Sequence, residues 1–500
     1  MSQPRDWNRR ELLTACAAGA GWLALDRRIP TATHVGPPQT PPNILWIIAE
    51  DLCPDLGCYG NPHAHTPNID KLASEGTRYT EAFATAPVCS ACRSSLLTGM
   101  YQTSIGAHQH RTAPKGPLDP TARLITDRFR EAGYFTSNAA GNDWARPGKT
   151  DLNFTLDQPF DGTDWRQRRP GQPFFAQVNF NETHRKFSRD PEHPIEPDSV
   201  ELPPYYPDHP IARRDWADYL ECAQVLDRKV GSVLQRLEED GLAENTVVFF
   251  FGDHGRAHVR DKQFLYDGGI HIPLVVRWPN RVDAGAVSNA LVSTVDLAAA
   301  SLAAAGIPVS SGLHGRPFLD PGTPERDVIF AARDRCDETY DRIRCVRDHE
   351  FKYIRNYFPN LAYMQGNLYK QREYPVWSLL QLLHAQGRLT PAQERFMAAT
   401  RPAEELYDLR EDHHELENLA HSEGHSGVLE RMRRRLDDWV ETTGDQGEVP
   451  EDPQIAARVY LDRHQPFHAS VMQERGLPPH PDPAQFLRWW AQELGVDSVV

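Results

Sequence analysis

The stretch Ala86–Gly99 reads APVCSACRSSLLTG and holds Cys89, Cys92 and Arg93. Two thiols three apart, with a guanidinium directly after the second, could do chemistry together. The following run predicts a short helix over Ser94–Thr98, ended by Gly99. Cys89 then lies at or just before the first turn. Backbone N–H groups and the helix dipole favour an anion there. Arg93, four residues on, returns to the same face. Three chemistries fit these residues. One is a nucleophile and a guanidinium around one anion. The second is a redox C-x-x-C at a helix start. The third is a pair of buried structural thiols. Zinc fits poorly, because no second C-x-x-C supplies the remaining ligands.

A second set of residues stands at the ends of apolar runs. NILWIIAEDL closes on Glu50 and Asp51, FFAQVNFNETH on His184, and TVVFFFGDHG on Asp253 and His254. Short runs rich in Val, Ile and Phe predict strands buried on both faces. In open α/β sheets, sites form beyond the carboxyl ends of such strands. Carboxylates converging there repel unless a cation joins them. An oxygen-rich set suits Ca²⁺ or Mg²⁺ better than zinc. Taken singly, each acidic pair also reads as a solvated loop or a helix cap.

The elements that must position these residues alternate. DYLECAQVLDRKVGSVLQRLEEDG places Leu220, Ala223, Leu226, Val230, Val233 and Leu237 at helical spacing. Strand and helix in alternation predict an α/β fold with a large, mostly parallel central sheet. After about Pro324 the pattern changes to short strand-like runs followed by an amphipathic helix. This predicts a smaller C-terminal α+β domain with an antiparallel sheet. The expected organisation is a signal and linker over 1–42, a catalytic α/β domain over 43–325, an α+β subdomain over 326–450, and an unassigned tail over 451–500.

Composition narrows the function. The formal net charge of −15 over 500 residues excludes a general nucleic-acid binder, so an anionic substrate would need local Arg and Lys. Eight cysteines in a chain of this length do not suggest a disulfide framework. Paired Arg9 and Arg10 precede an apolar run from Leu12 to Leu25, shorter than the ~20 residues a membrane span requires. This reads as a twin-arginine export signal with no stable membrane span, and the expected location is periplasmic or extracellular.

CSACRSSLLTG resembles the sulfatase signature, C-x-P/A-x-R with a leucine-threonine-glycine tail. DLGCYG, TPNIDKLASEG, FFFGDHG, KQFLYDGGIHIPLVVRWP and EELYDLREDHHELENLA resemble further sulfatase segments, in the family's order. The resemblance implies that a maturation enzyme converts Cys89 to Cα-formylglycine, with Arg93 as the motif arginine. It implies a metal, usually Ca²⁺, at Asp51, Asp253 and His254, with Glu50 where relatives often carry aspartate. Lys262 and His184 match sulfate-contacting positions. Lys149 matches the lysine of a lysine-x-histidine pair, and Asp151 stands where that histidine would be. His108 and His110 are candidates for the missing base.

The implied activity is hydrolysis of sulfate esters or sulfamates on a sulfated carbohydrate. The C-terminal segment resembles heparan N-sulfatases more than simple arylsulfatases. The charged segment Ala332–Asp348, with Arg333 and Arg335, is expected to read a sugar carboxylate or hydroxyl. The alternatives are a phosphonate or phosphodiester hydrolase of the same superfamily, a thiol redox protein using Cys89 and Cys92, and a non-catalytic sulfated-glycan binder.

Overall fold

Residues 40–497 are described by the computed structural model. The twin-arginine segment lies outside the described residues. Nine strands make the large sheet: β1 Asn43–Ala49, β2 Thr77–Phe83, β3 Phe135–Ala140, β4 Asp143–Pro147, β5 Phe174–Phe180, β6 Thr246–Gly252, β7 His271–Arg277, β8 Ala286–Ser288 and β9 Val292–Ser293. Their order is β4-β3-β5-β1-β6-β7-β2-β8, with β9 beside β2. The centre, β3-β5-β1-β6, is parallel. β7 runs antiparallel to both β6 and β2, and β4 is antiparallel to β3.

β1, β5 and β6 are buried along their whole length. FFAQVNF therefore sits in a continuous interior rather than alternating between core and solvent, as expected of a parallel strand covered on both faces. One face of β1 carries Leu45 and Ile47 into a cluster with Leu220, Ala223 and Leu226 of the helix Pro210–Glu239. The other face carries Trp46, packed edge-on to Phe175 at 5.1 Å and Phe251 at 5.5 Å. The Trp46 indole donates to Ser301 Oγ at 2.9 Å, so its one polar atom is satisfied inside the core.

The second sheet is β10 Ile329–Arg333, β11 Ile343–Arg347, β12 Phe351–Asn356 and β13 Glu404–Asp408, antiparallel throughout. The helix Ser426–Thr443 packs Met432, Leu436 and Trp439 against Val346, Tyr353 and Leu406. Ile329, Cys345 and Ile354 join the same buried cluster as Leu45 and Ile47, so hydrophobic packing is continuous across residue 325. The tail after 450 is helical. Its last helix, Pro483–Leu494, buries Phe486, Leu487 and Trp490 in that cluster. Among the described residues no helix is long and apolar enough to cross a membrane.

Trp46→Ala should destabilise the protein by ~3–5 kcal/mol, as expected for removing a large aromatic from a packed core. Urea unfolding measures this. A loss below ~1 kcal/mol would show that the two faces of the sheet do not depend on this ring.

Candidate active site

The ends of β1 and β6 are tied together by backbone. Asp253 N–H donates to Ala49 O at 2.9 Å and Leu52 N–H to His254 O at 3.1 Å. Gly252 and Gly255 permit this close approach. A Cβ on Gly252 would lie 2.5 Å from Leu52 O, and one on Gly255 2.2 Å from Gly268 O. Glu50, Asp51, Asp253 and His254 are brought together here and all are buried. Asp51 holds a positive φ of 54°, and its N–H donates to Asp253 Oδ1 at 3.0 Å. Arg111, Asp151, Gln263 and Asp337, also with positive φ, stand around the same site. Such backbone is sparsely populated for non-glycine residues, and it clusters where side chains must be held in one place.

Cys89 opens the helix Cys89–Thr98, and Gly99 ends it with φ 66°. The helix begins five residues before the expected Ser94, so the thiol occupies the first helical position. Its Sγ lies 3.2 Å from His254 Nε2 and 3.8 Å from Lys262 Nζ. Arg93 reaches Asp253 Oδ2 at 3.1 Å and Asn179 Oδ1 at 2.6 Å. Lys262 Nζ meets Asp51 at 2.7 and 2.9 Å, and Lys149 Nζ meets Glu50 Oε2 at 2.7 Å. Each carboxylate of the cluster thus has a cationic partner.

These charges set the proton positions. Burial raises the Cys89 thiol, but Lys149 and Lys262 outweigh it and leave it below an ordinary thiol. Burial alone dominates at Cys92, which is pushed up to about 12. Its Sγ donates to Asp253 O at 2.8 Å, so the two sulfurs have separate partners and both remain free thiols. That arrangement does not support the redox reading. Burial lowers His254, yet Asp253 and Asp51 raise it to about 9. Its Nδ1 faces Gly255 O at 2.9 Å and its Nε2 lies 3.1 Å from Asp51 Oδ1, so the protonated ring donates at both nitrogens, and a bound cation would take the place of the Nε2 proton.

Asp51, Cys89 and His254 offer ligand atoms that all lie within 4.8 Å of one another. The donor set fits a divalent cation. It is buried, and Glu50 and Asp253 add carboxylates beside it.

A cavity of about 970 Å³ opens on this cluster. Glu50, Lys149, His184 and Lys262 line it, with Asn179, His110 and Arg111. His184 Nε2 lies 4.0 Å from Asp51 Oδ2, and its Nδ1 faces Arg185 O at 2.6 Å. Burial first, then Lys262, holds its pKa below the usual histidine value.

The sulfatase family model matches residues 42–307, and the model for the C-terminal part of N-sulphoglucosamine sulphohydrolase matches residues 252–376. An ulvan-active sulfatase of Formosa agariphila is 33% identical over 479 residues, covering 85% of this chain and 78% of that protein. The chain belongs to the sulfatase family. It is therefore a hydrolase of sulfate esters or sulfamates.

Solved structures share the fold of this sulfatase. One, in complex with its substrate D-glucosamine-2-N,6-O-disulfate, superposes with a TM-score of 0.63 at 16% identity, covering 82% of this chain and all (100%) of that one. A phosphonate monoester hydrolase of Agrobacterium radiobacter reaches 0.59 at 18% identity, covering 80% and 96%.

Four candidates are placed differently from expectation. Arg333 is buried in an ion pair with Asp341 at 2.8 Å, and Arg335 is buried against Glu451. Neither lines the cavity, because each is spent on tying the second sheet to its surroundings. His108 is buried away from the cavity, near Asp334, Arg344 and Asp445. Asp151 is clamped by Arg111 through three hydrogen bonds of 2.8–3.2 Å, which removes it as a free base. His110 does line the cavity and meets Ser90 Oγ at 3.0 Å. The residues that sequence reasoning missed are Tyr369, Arg372, Arg463, His464 and Phe467. They lie in segments without a motif, and the last three belong to the unassigned tail.

Burial raises the Asp151 carboxyl, but Arg111 and Lys149 outweigh it and hold it well below the usual range. A depressed carboxylate contributes stability above its unfolded pKa of ~3.9 and loses that contribution as pH falls toward the folded value. Asp151→Asn should therefore cost ~1–3 kcal/mol at pH 7. The gap to the parent should narrow progressively below pH ~5. Thermal unfolding from pH 7 down to about pH 2 tests both. A gap that widens with acid would contradict the ion pair.

Proposed function

We propose that this sulfatase removes sulfate from a sulfated carbohydrate, using Cys89 converted to Cα-formylglycine by a maturation enzyme, beside a bound Ca²⁺. The observation that carries this reading is Cys89 itself. It opens a helix, its sulfur lies between Lys262 and His254, and Lys262 belongs to the cationic lining of the cavity. The relative from Formosa agariphila is ulvan-active and one fold neighbour holds a disulfated glucosamine, which supports a sulfated glycan as the substrate class.

Asp51, Asp253 and His254 would hold the cation with Glu50, and their carboxylate-rich chemistry favours Ca²⁺ ahead of Mg²⁺. A bound cation supplies positive charge where negative charge develops on the sulfate oxygens. Formylglycine in place of Cys89 would supply, as its hydrate, one hydroxyl as the nucleophile toward sulfur and a second whose deprotonation would release sulfate and restore the aldehyde.

The chain's own side chains do the rest. Lys262 and Lys149 bind sulfate oxygens. Arg93 orients the first turn of its helix by fixing Asp253 and Asn179. His184 presents Nε2 to the cavity, where it protonates the departing oxygen or nitrogen. An anionic substrate offsets the Lys262 charge that depresses its pKa and so favours the protonated ring. His110 takes the position left open by the clamped Asp151, as the base that faces the cavity.

Export through a folded-protein pathway belongs to the same reading, on Arg9 and Arg10. Changing both arginines to lysine should retain the enzyme in the cytoplasm, as cell fractionation would show. Unchanged export would refute the assignment.

Peptide mass spectrometry around Cys89 tests its conversion. Cys89→Ser should fail in multiple-turnover sulfate release while keeping the fold, because serine lacks the second hydroxyl. Cys92→Ser should be much milder. Equal loss in both would restore the dithiol reading. A panel containing a sulfated sugar and a phosphonate monoester decides between ester classes, and preference for the phosphonate would overturn the sulfated-carbohydrate reading. Chelation should abolish turnover, and Ca²⁺ should restore it. Full activity after chelation would sink the metal assignment.

A further inference from the structure

The cavity is lined by seven Lys and Arg residues against four Asp and Glu. The whole chain has the opposite balance, with a formal charge of −15. Four of the seven cations already have acidic partners at the reaction centre or beside it. Lys149 pairs with Glu50, Lys262 with Asp51, Arg111 with Asp151 and Lys229 with Glu182. Three remain: Arg146, Arg463, and Arg372, which is paired only through its Nε, with Glu373.

Arg146 and Arg463 have no side-chain hydrogen bond or ion pair among the described residues and are exposed. Solvation accounts for each of them taken singly. It does not account for Arg372. That side chain is only 4% exposed and lines the cavity. Its Nε donates to Glu373 at 2.6 Å, but its Nη1 is buried with no partner. A guanidinium donor out of water and without an acceptor is costly, and native structures seldom tolerate one without a reason.

The guanidinium of Arg372 lies over the Phe467 ring, 4.6 Å from its centroid. Phe467 lines the cavity and is 57% exposed, a large apolar face left at the mouth of a polar site. Arg463 comes from the π-helical turn Val459–His464 just before it. π turns inside helices are often found at functional sites. Arg146 comes from the edge strand β4. Three separate parts of the chain thus bring two unpaired guanidinium groups, a third that is paired only through its Nε, and one open aromatic face to a single cavity.

We propose that Arg146, Arg372, Arg463 and Phe467 form a second anion subsite. It takes a carboxylate or a second sulfate on the sugar next to the one that bears the scissile sulfate, with that sugar resting on Phe467. Guanidinium groups bind such planar or tetrahedral oxyanions through paired N–H donors, and one charge-assisted contact made out of water outweighs several exposed ones. The substrate class is then a sulfated oligosaccharide with an acidic neighbouring unit. This deepens the glycan-sulfatase reading and rests on it.

Binding separates the two claims, because it needs no turnover. Three sulfated disaccharides would be titrated calorimetrically into the Cys89→Ser protein. They differ only on the second sugar, which carries a carboxylate, a sulfate, or the neutral alcohol made by reducing the carboxylate. At least one charged form should bind about 10-fold or more tighter than the neutral one, and which form does so identifies the oxyanion. In Arg146→Gln and Arg463→Gln, both at exposed positions, that ratio should fall to about threefold or less. Arg372→Gln should lower it further, with circular dichroism checking its fold. Equal affinity for charged and neutral forms overturns the subsite. A ratio unchanged in all three variants overturns its assignment to these residues. If the parent enzyme, with Cys89 in place, releases no sulfate from the disaccharide that the Cys89→Ser protein binds selectively, the glycan-sulfatase reading fails and the subsite stands.

Discussion

Three carboxylates meet in the interior of this protein, and the rest of the site is arranged around that fact. Glu50 and Asp51 leave β1, Asp253 leaves β6, and all three are buried. Unpaired, such a group would be forced to take up protons or would unfold the site. Arg93, Lys149 and Lys262 supply the opposing charge, each from a different segment. Two of these cations, Lys149 and Lys262, also hold the Cys89 thiol below its ordinary pKa, so the electrostatic balance that permits the cluster acts on this sulfur as well. The strained Asp51 backbone, at φ 54°, is held by the hydrogen bond from its N–H to Asp253 and by the close approach at Gly252.

The helix Cys89–Thr98 shows how neighbouring residues of one type are given different chemistry. Cys89 and Cys92 are both fully buried. Cys89 points at His254 and Lys262, whereas Cys92 hands its proton toward the carbonyl of Asp253 and rises to about 12. One thiol is held below its ordinary pKa and the other above it. The difference comes from which charges face each sulfur, and local sequence does not carry that information.

Arginines in the second sheet illustrate a related division of labour. Arg333, Arg335 and Arg344 are buried and consumed by Asp341, Glu451, Asp334 and Asp445. They act as struts that tie the antiparallel sheet to the loops around it, which is why no arginine of this charge-rich segment reaches the cavity wall, where Asp337 alone represents it. Arg372 and Arg463, from segments without a recognisable pattern, do face the cavity. A run of charges is read easily in a sequence, but whether it is paired depends on partners far away in the chain.

What the sequence determined by itself is what local rules control. Continuous apolar runs marked the buried strands, because a parallel strand covered on both faces has no solvent side to record. Gly99 marked the end of the helix that Cys89 opens, since an αL cap suits glycine. The acidic strand ends and the cysteine motif marked the place of the chemistry and the resemblance to sulfatases. Tertiary structure decided the rest. It clamped Asp151 with Arg111, removed His108, Arg333 and Arg335 from the cavity, and brought the tail's Arg463, His464 and Phe467 to it. These outcomes rest on contacts between residues far apart in the chain, such as Arg335 with Glu451, which lie 116 positions apart. No local spacing encodes such a pair, because its energy exists only once the core has brought the two segments together.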